Sequence, residues 1–337
     1  QRAVGTELDR LSALATGDLG IVLDELLQIP AADVPAALDS MSGDLHGTLA
    51  SVGIENSSAF YRMLASHLRY RTAMIEANTA VAGGLSSGRT VRGQAPEAEI
   101  SLLAYERTGP DDVFTSLTGV GSSAAGPVSD GWNGWIAGYG LGGSIDGGAG
   151  RPGVDMGVGG LAVGWEYRSP IDETLGLVLG YGRSDVDTAR GDATVDTLNL
   201  ALYAQLHEDD WYLLSFLGYA YDDYSTARTV MVGPIVRTAR GDTDGHQFGL
   251  YVEPGLTYRV GGGWVVQPLT ALQYLALYRD GFTETGAGAL NLSVADETTH
   301  SLRGMLGLRV ARPVRTGDGW SIAPEFRARW VHEFLDD

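Results

Sequence analysis

The side chains of this 337-residue chain that could do chemistry are few and scattered. Cysteine is absent, which excludes disulfides, thiol catalysis and cysteine-based zinc sites. The six histidines are dispersed, and His300 and His332 do not stand at metal-ligand spacing. No Ser/His/Asp set stands out as a nucleophilic triad. Gly138-x-Gly140-x-x-Gly143 has the spacing of a dinucleotide-binding turn, but no βαβ unit surrounds it and no helix follows, so it reads as strand glycine. Asp242-x-Asp244-Gly245 is too short for an EF-hand loop and lacks the closing Glu. Arg190-Gly191-Asp192 and Arg240-Gly241-Asp242 are adhesion-type tripeptides built from ordinary loop residues. What remains is electrostatic: Arg62, His67, Arg69 and Arg71 decorate one helical stretch of a chain whose formal net charge is −19. That acidity argues against nucleic acid as a partner, because phosphate binding needs clustered Lys and Arg. Neither a catalytic group, a cofactor site nor a metal site is predicted.

The elements that carry these residues change character along the chain. Residues 1–82 read as helix, with Leu38, Met41, Leu45 and Leu49 at spacings of three and four and with Pro30 and Pro35 marking breaks or starts. A longer helix is predicted over about 57–82, capped by Ser57 or Ser58, with Phe60, Leu64, Leu68 and Ile75 on one face. Residues 83–131 form a Gly/Ser/Pro-rich connection with one apolar stretch, Ile100 to Tyr105, that fits a short strand or a helical turn. No run of 18 apolar residues exists, so no transmembrane helix is expected. The N-terminus lacks the basic-then-apolar pattern of a signal peptide, as in a cytosolic protein or one cut from a longer precursor.

From Gly131 onward the period is two. Leu175, Leu177, Leu179 and Tyr181 alternate with glycine and valine; Leu198, Leu200, Leu202 and Leu206 oppose Thr197, Asn199, Tyr203 and Gln205. Phe248, Leu250, Val252, Leu256 and Tyr258 oppose Gln247, Glu253, Thr257 and Arg259, and Phe326, Ala328, Trp330 and Phe334 oppose Arg327, Arg329 and Glu333. About nine such segments are counted, most of ten residues or more, where soluble strands average five or six. One face is aliphatic and the other carries charges and glycines, the reverse of a dry sandwich interior. Trp132, Trp135, Trp165, Tyr167, Trp211, Tyr212, Trp264, Trp320 and Trp330 sit near segment ends, as interfacial girdles do. Connections alternate long (146–155, 185–196, 222–245, 280–299) and short (169–173, 208–210, 261–263, 313–319), the rhythm of an outer-membrane barrel.

The stretch 131–337 resembles the autotransporter β-domain. "GWNGWIAGYGLGGS" (131–144) and "GGLAVGWEYR" (159–168) look like its first two strands. "VQPLTALQYLALYRDGFTETGAGALNLSV" (266–294) resembles its proline, apolar strand and Phe-x-Glu-x-Gly loop, here Phe282, Glu284 and Gly286. "RGMLGLRV" (303–310) and "APEFRARWVHEF" (323–334) follow in order, the latter with Trp330, His332 and Glu333. Residues 37–69 resemble the segment that this family carries between passenger and barrel.

The resemblance implies an all-β transmembrane antiparallel β-barrel, about nine of an expected twelve strands present, preceded by an α-helical linker and plug. Three regions follow: a helical linker with a candidate pore helix (1–82), a connection (83–131) and the barrel (131–337), read as truncated before its last strands. The implied function is conduit rather than catalysis: an outer-membrane translocator that delivers its N-terminal passenger to the cell surface. Outer-membrane lipid, the passenger, the barrel-assembly machinery and periplasmic chaperones are the implied partners, and loops and passenger are expected at the surface. In this setting the plug helix would set Arg62, Arg69 and Arg71 against lumen acids such as Glu166, Glu253, Glu325 and Glu333, since charges buried in a pore need pairing. A general porin-like barrel and a soluble surface β-protein or adhesin fragment remain as alternatives.

Overall fold

Alternation at the strand period becomes a single antiparallel meander, because residues of one parity can all face lipid while those of the other face inward. The computed structural model describes residues 2–12, 15–82, 97–103, 117–125, 131–145, 153–171, 173–208, 210–312, 314–315, 321–322 and 325–335. Four helices come first: α1 (Arg2–Ser12), α2 (Asp18–Gln28), α3 (Val34–Ser40) and α4 (Asp44–Ala82). The strands are β1 (Glu97–Leu103), β2 (Leu117–Ala125), β3 (Gly131–Ile145), β4 (Val154–Arg168), β5 (Thr174–Thr188), β6 (Gly191–His207), β7 (Trp211–Val232), β8 (Ile235–Leu256) and β9 (Tyr258–Val260). They continue with β10 (Trp264–Arg279), β11 (Phe282–Thr283), β12 (Ser293–Val294), β13 (Glu297–Ala311), β14 (Val314–Arg315), β15 (Ser321–Ile322) and β16 (Glu325–Glu333). The main sheet runs β1-β2-β3-β4-β5-β6-β7-β8-β10-β13-β16, each strand pairing with the next, and β9 adds to β10. No helix of the described residues is long and apolar enough to cross a membrane.

The sheet curls around α4, which contacts β2 through β7 and β10. Inward side chains meet across the enclosed space: Arg329 on β16 reaches Glu253 on β8 at 3.0 Å, and Trp135 on β3 reaches Tyr203 on β6 at 2.8 Å. The outward face is apolar. Leu161, Leu175, Leu177, Leu198, Leu200, Leu202, Leu217, Leu250, Leu272 and Leu306 are all exposed on it. The band ends sharply at both sides. On β7 the outward positions run from Trp211 through Leu217 to Tyr221 and then become Asp223 and Ser225. Ten residues at about 3.3 Å each, tilted by about 40°, rise about 25 Å, the height of the lipid-facing band of such barrels. The same switch falls between His246 and Asp244 on β8 and between Leu198 and Asp196 on β6.

Several elements differ from their sequence reading. The connection 83–131 contains two strands, β1 and β2, so the sheet path has eleven members rather than nine. The segment "LTGVGSSAA" of β2 offers Gly, Ser and Ala where the alternation test looks for Leu and Val. The expected loops 185–196 and 222–245 are continuous strand instead: β5 and β6 turn within two residues, and β7 and β8 turn at Gly233 with φ 55°. Their Asp, Thr and Gly content reflects strands that leave the membrane and enter water. Trp135 and Tyr212 do not join the girdle; both are buried inside the barrel. The pore helix starts at Asp44, thirteen residues before its predicted cap, and carries Ser57 and Ser58 buried in its interior.

Candidate functional site

The site is α4 and the wall that holds it. From His46 to Arg69 the helix advances about 35 Å, enough to run the whole lumen. It enters at the end where β7 and β8 project and leaves toward the short turns. Five levels of contact fix it.

At the projecting end, His46 Nε2 lies 2.7 Å from Glu284 Oε1, and Phe282 packs its ring edge on His46 at 5.1 Å. Arg228 on β7 donates to both Glu284 oxygens (2.6 and 3.1 Å) and to Ser40 O (2.7 Å), while Leu292 N donates to Glu284 Oε2 at 2.8 Å. Burial alone raises the pKa of Glu284, but hydrogen bonds from His46 and Arg228 overcome it and hold the carboxyl down at about 2. Gly286, with φ 97°, closes this loop against the Thr238 carbonyl, where a Cβ has no room.

One level deeper, the buried Asp222 accepts from Thr197 Oγ1 (2.5 Å), Gln247 Nε2 (2.5 Å) and Tyr224 OH (3.3 Å). Gln247 also reaches Gly53 O at 3.1 Å, and Asn56 Nδ2 donates to Thr197 Oγ1 at 2.7 Å, so helix and wall share one network. The third level is ionic. Arg303 on β13 donates to Glu55 (2.5 Å), Glu333 (2.9 Å) and Ser58 Oγ (3.0 Å), and Gln273 also donates to Ser58 Oγ at 2.9 Å. Ser301 Oγ and Leu302 N also donate to Glu333, each at 2.7 Å, and Leu335 N does so at 3.4 Å.

The fourth level is steric. Phe60 fills the space over Gly180, and the Tyr61 ring lies over Gly218 and Gly249, where any Cβ would overlap it. Tyr61 meets Phe216 edge-on at 5.4 Å, and Phe216 stacks on Tyr251 at 4.4 Å. At the fifth level His67 stacks on Trp135 at 4.0 Å and lies 3.6 Å from Glu166, which accepts from Tyr203 OH at 2.7 Å. Arg69 Nη1 donates to Glu253 at 2.6 Å; Arg329 reaches the same carboxylate at 3.0 Å, and the Tyr212 and Tyr251 hydroxyls also donate to it.

The nominated residues therefore divide. Arg69 and Glu253 meet, and Glu166 and Glu333 lie in the wall beside α4. Arg62 faces Glu55 of its own helix at 3.5 Å, not a wall acid. The side chains of Arg71 and Glu325 lie outside the described residues. Glu284, Phe282 and Gly286 belong to the outer clasp, whereas Trp330 is exposed on the lipid face with His332 stacked on it at 5.6 Å. Sequence reasoning missed His46, Glu55, Asp222, Arg228, Gln247 and Arg303 as a set. Their strand members share one signal: a charged or amide side chain in the inward phase of a long strand. Among the described residues no cluster of three or more His, Cys, Asp or Glu side chains is arranged to hold a metal ion.

The model of the autotransporter β-domain matches residues 134–337, most of this sheet. The chain belongs to the autotransporter β-domain family. As such it is an outer-membrane translocator for a passenger domain. Over 156 residues it is 27% identical to the esterase EstA of Pseudomonas aeruginosa, covering 44% of this chain and 24% of that protein. It is 27% identical over 216 residues to the probable autotransporter YpjA of Escherichia coli K12, covering 61% of this chain and 13% of that protein. The autotransporter chain thus spans a quarter or less of these relatives. The translocator domain of the autotransporter NalP from Neisseria meningitidis is similar in fold, with a TM-score of 0.50 at 23% identity over 60% of this chain and 69% of that one.

Proposed function

We propose that this β-domain delivers its passenger to the cell surface and is then closed by α4, with the projecting β7–β8 end outside and the short turns in the periplasm. The observation that carries this reading is the course of α4: it fills the lumen and leads, toward its N-terminus, out through the projecting end. A polypeptide joined upstream of residue 1 would then emerge on the outer side. Among the described residues, Glu55, Arg62, His67, Arg69, Glu166, Glu253, Arg303, Arg329 and Glu333 along this path each lie within 4 Å of a side chain of opposite type, as a polar pore closed by protein requires. The plug contacts are Arg69–Glu253–Arg329, Glu55–Arg303–Glu333 and His46–Glu284–Arg228. Catalysis by the whole protein, including any esterase activity, would reside in the passenger. Outer-membrane lipid, the passenger, the barrel-assembly machinery and periplasmic chaperones are the partners that an inserted barrel of this kind needs. An open general pore is disfavoured because α4 runs through the lumen from His46 to Arg69.

The test is an epitope placed upstream of residue 1 in the full-length precursor. The expected result is epitope reached by antibody on intact cells, together with low single-channel conductance of the purified protein. An epitope that stays in the periplasm while the barrel inserts would refute the proposal.

A further inference from the structure

Beyond the lipid boundary, β7 and β8 each continue for ten residues, Asp223–Val232 and Ile235–Asp244. The inward side of this projection is apolar at its tip, where Val230, Val232 and Ala239 are buried to about 1% exposure or less, with Ala287 and Leu290 from the neighbouring loop. A two-stranded ribbon in water cannot keep such a face by itself. It is covered here by Val22, Ala37 and Met41, with Val4, Leu8, Leu26 and Ile29 around them, forming a second core separate from the lumen.

The polar contacts at this surface read particular points of the helices. Arg237 grips Asp18, in the first turn of α2, through two nitrogens at 2.6 and 2.7 Å, and Ala289 N donates to the same carboxylate at 2.7 Å. Gly288, with φ 64°, lies against Asp18 and leaves no room for a Cβ. The hydrogen bond from Arg237, then that from Ala289, hold the Asp18 carboxyl down at about 2. At the end of α3, Met231 N donates to Ser40 Oγ at 3.0 Å and Arg228 donates to Ser40 O at 2.7 Å. Asp39 meets Arg190 of the β5–β6 turn at 3.3 Å.

We propose that the projecting β7–β8 hairpin and loop 282–292 form a docking platform for the helical segment 18–43, which folds there after export and seals the outer mouth above α4. The proposal rests on the orientation given under Proposed function. The occupant is an amphipathic helix pair with an acidic first turn. An open rim would need no buried valines, no clasp on Asp18 and no hydrogen bond to Ser40.

Because this chain has no cysteine, single-cysteine variants of it, carried in a full-length precursor in which any cysteine outside these residues is replaced by serine, give a clean readout on intact cells with a membrane-impermeant maleimide. Ala189→Cys, exposed at the β5–β6 turn, reports orientation. Ala37→Cys and, independently, Val22→Cys report the platform, where both residues are buried. The expected result is rapid labelling at 189 and labelling at least about tenfold slower at 37 and 22. Arg237→Glu should raise the rates at 37 and 22 about tenfold, the weight of one lost charge-assisted pair, with no change at 189. Adding Asp18→Arg to Arg237→Glu should slow them again. Failure to label 189 overturns the orientation. Labelling of 37 and 22 as fast as 189, or indifference to Arg237→Glu, overturns the platform while the orientation stands.

Discussion

Replacing Arg303 by alanine tests how α4 is seated. Arg303, Glu55 and Glu333 are each less than a tenth exposed. Arg303 is the cation shared by both carboxylates, one on the helix and one on the last strand of the sheet path. Removing it leaves Glu55 with only the longer contact to Arg62 at 3.5 Å, and Glu333 with the neutral donors Ser301, Leu302 and Leu335. Breaking a buried pair in this way costs about 3–5 kcal/mol, because the surviving charge is desolvated and unpaired. At a urea slope of roughly 2–3 kcal/mol per molar, the unfolding midpoint should fall by roughly 1–2 M. The assay is urea titration of the lipid-reconstituted protein, followed by tryptophan fluorescence and by heat-modifiable mobility. Glu55→Gln should cost less, because a neutral hydrogen bond to Arg303 survives. The double variant should show a coupling of about 0.5–3 kcal/mol relative to the two single ones. If Arg303→Ala moves the midpoint by less than the error, or the coupling is zero, α4 is not held through Glu55 and the reasoning fails.

Further outcomes follow from other levels of the structure. Gly249→Ala places a methyl group where the Tyr61 hydroxyl lies and should destabilise the barrel by about 1–3 kcal/mol; Tyr61→Phe should recover part of that loss in the same urea titration. Leu217→Arg puts a charge on the lipid face within the apolar band and should cost about 2–4 kcal/mol in refolding into vesicles, whereas Ser225→Arg, above the boundary, should cost nearly nothing. The depressed pKa of Glu284 sets an acid limit on the outer clasp. A carboxylate titrating near 2 when folded and near 4.5 when unfolded adds stability that is fully present above about pH 4.5 and lost as pH falls toward 2. Access to Ala37→Cys in the lipid-reconstituted protein, read with 2,2′-dipyridyl disulfide, which reacts with thiols in acid, should therefore rise across that window, and Glu284→Gln should weaken the clasp already at neutral pH and flatten the dependence.

Much of the barrel was legible because lipid enforces a strict rule. Leu175 to Tyr181 and Phe248 to Tyr258 must show one parity to hydrocarbon, and no other arrangement satisfies both their side chains and their backbone. β2 was not legible, since its small residues leave the period without contrast, and β1 overlaps the apolar stretch from Ile100 that fitted a short strand or a helical turn equally well. The projections of β7 and β8 were read as loops because, outside lipid, nothing demands leucine, and Asp, Thr and Gly there look like turn residues. Arg69 and Glu253 were visible as opposite charges, one on the plug and one on the inward parity of a strand. Glu55 was not nominated because its partner Arg303 stands 248 residues away and no local spacing encodes that pairing. Arg62 sits only seven residues from Glu55, and the nearer acid takes it.

The span of the Glu55–Arg303–Glu333 node also orders events in time. Its parts come from the first third of α4, from β13 and from β16, so the node cannot exist until the end of the sheet path has paired. A contact of such sequence separation forms late, after the loop-closure entropy of the whole meander has been met. During that interval Glu55 lacks its wall cation, and the helix is held only by its contacts to earlier strands. If passage runs through the lumen as proposed, the pieces that lock the helix are those that arrive last, and the barrel's own folding clock would set how long that route stays open.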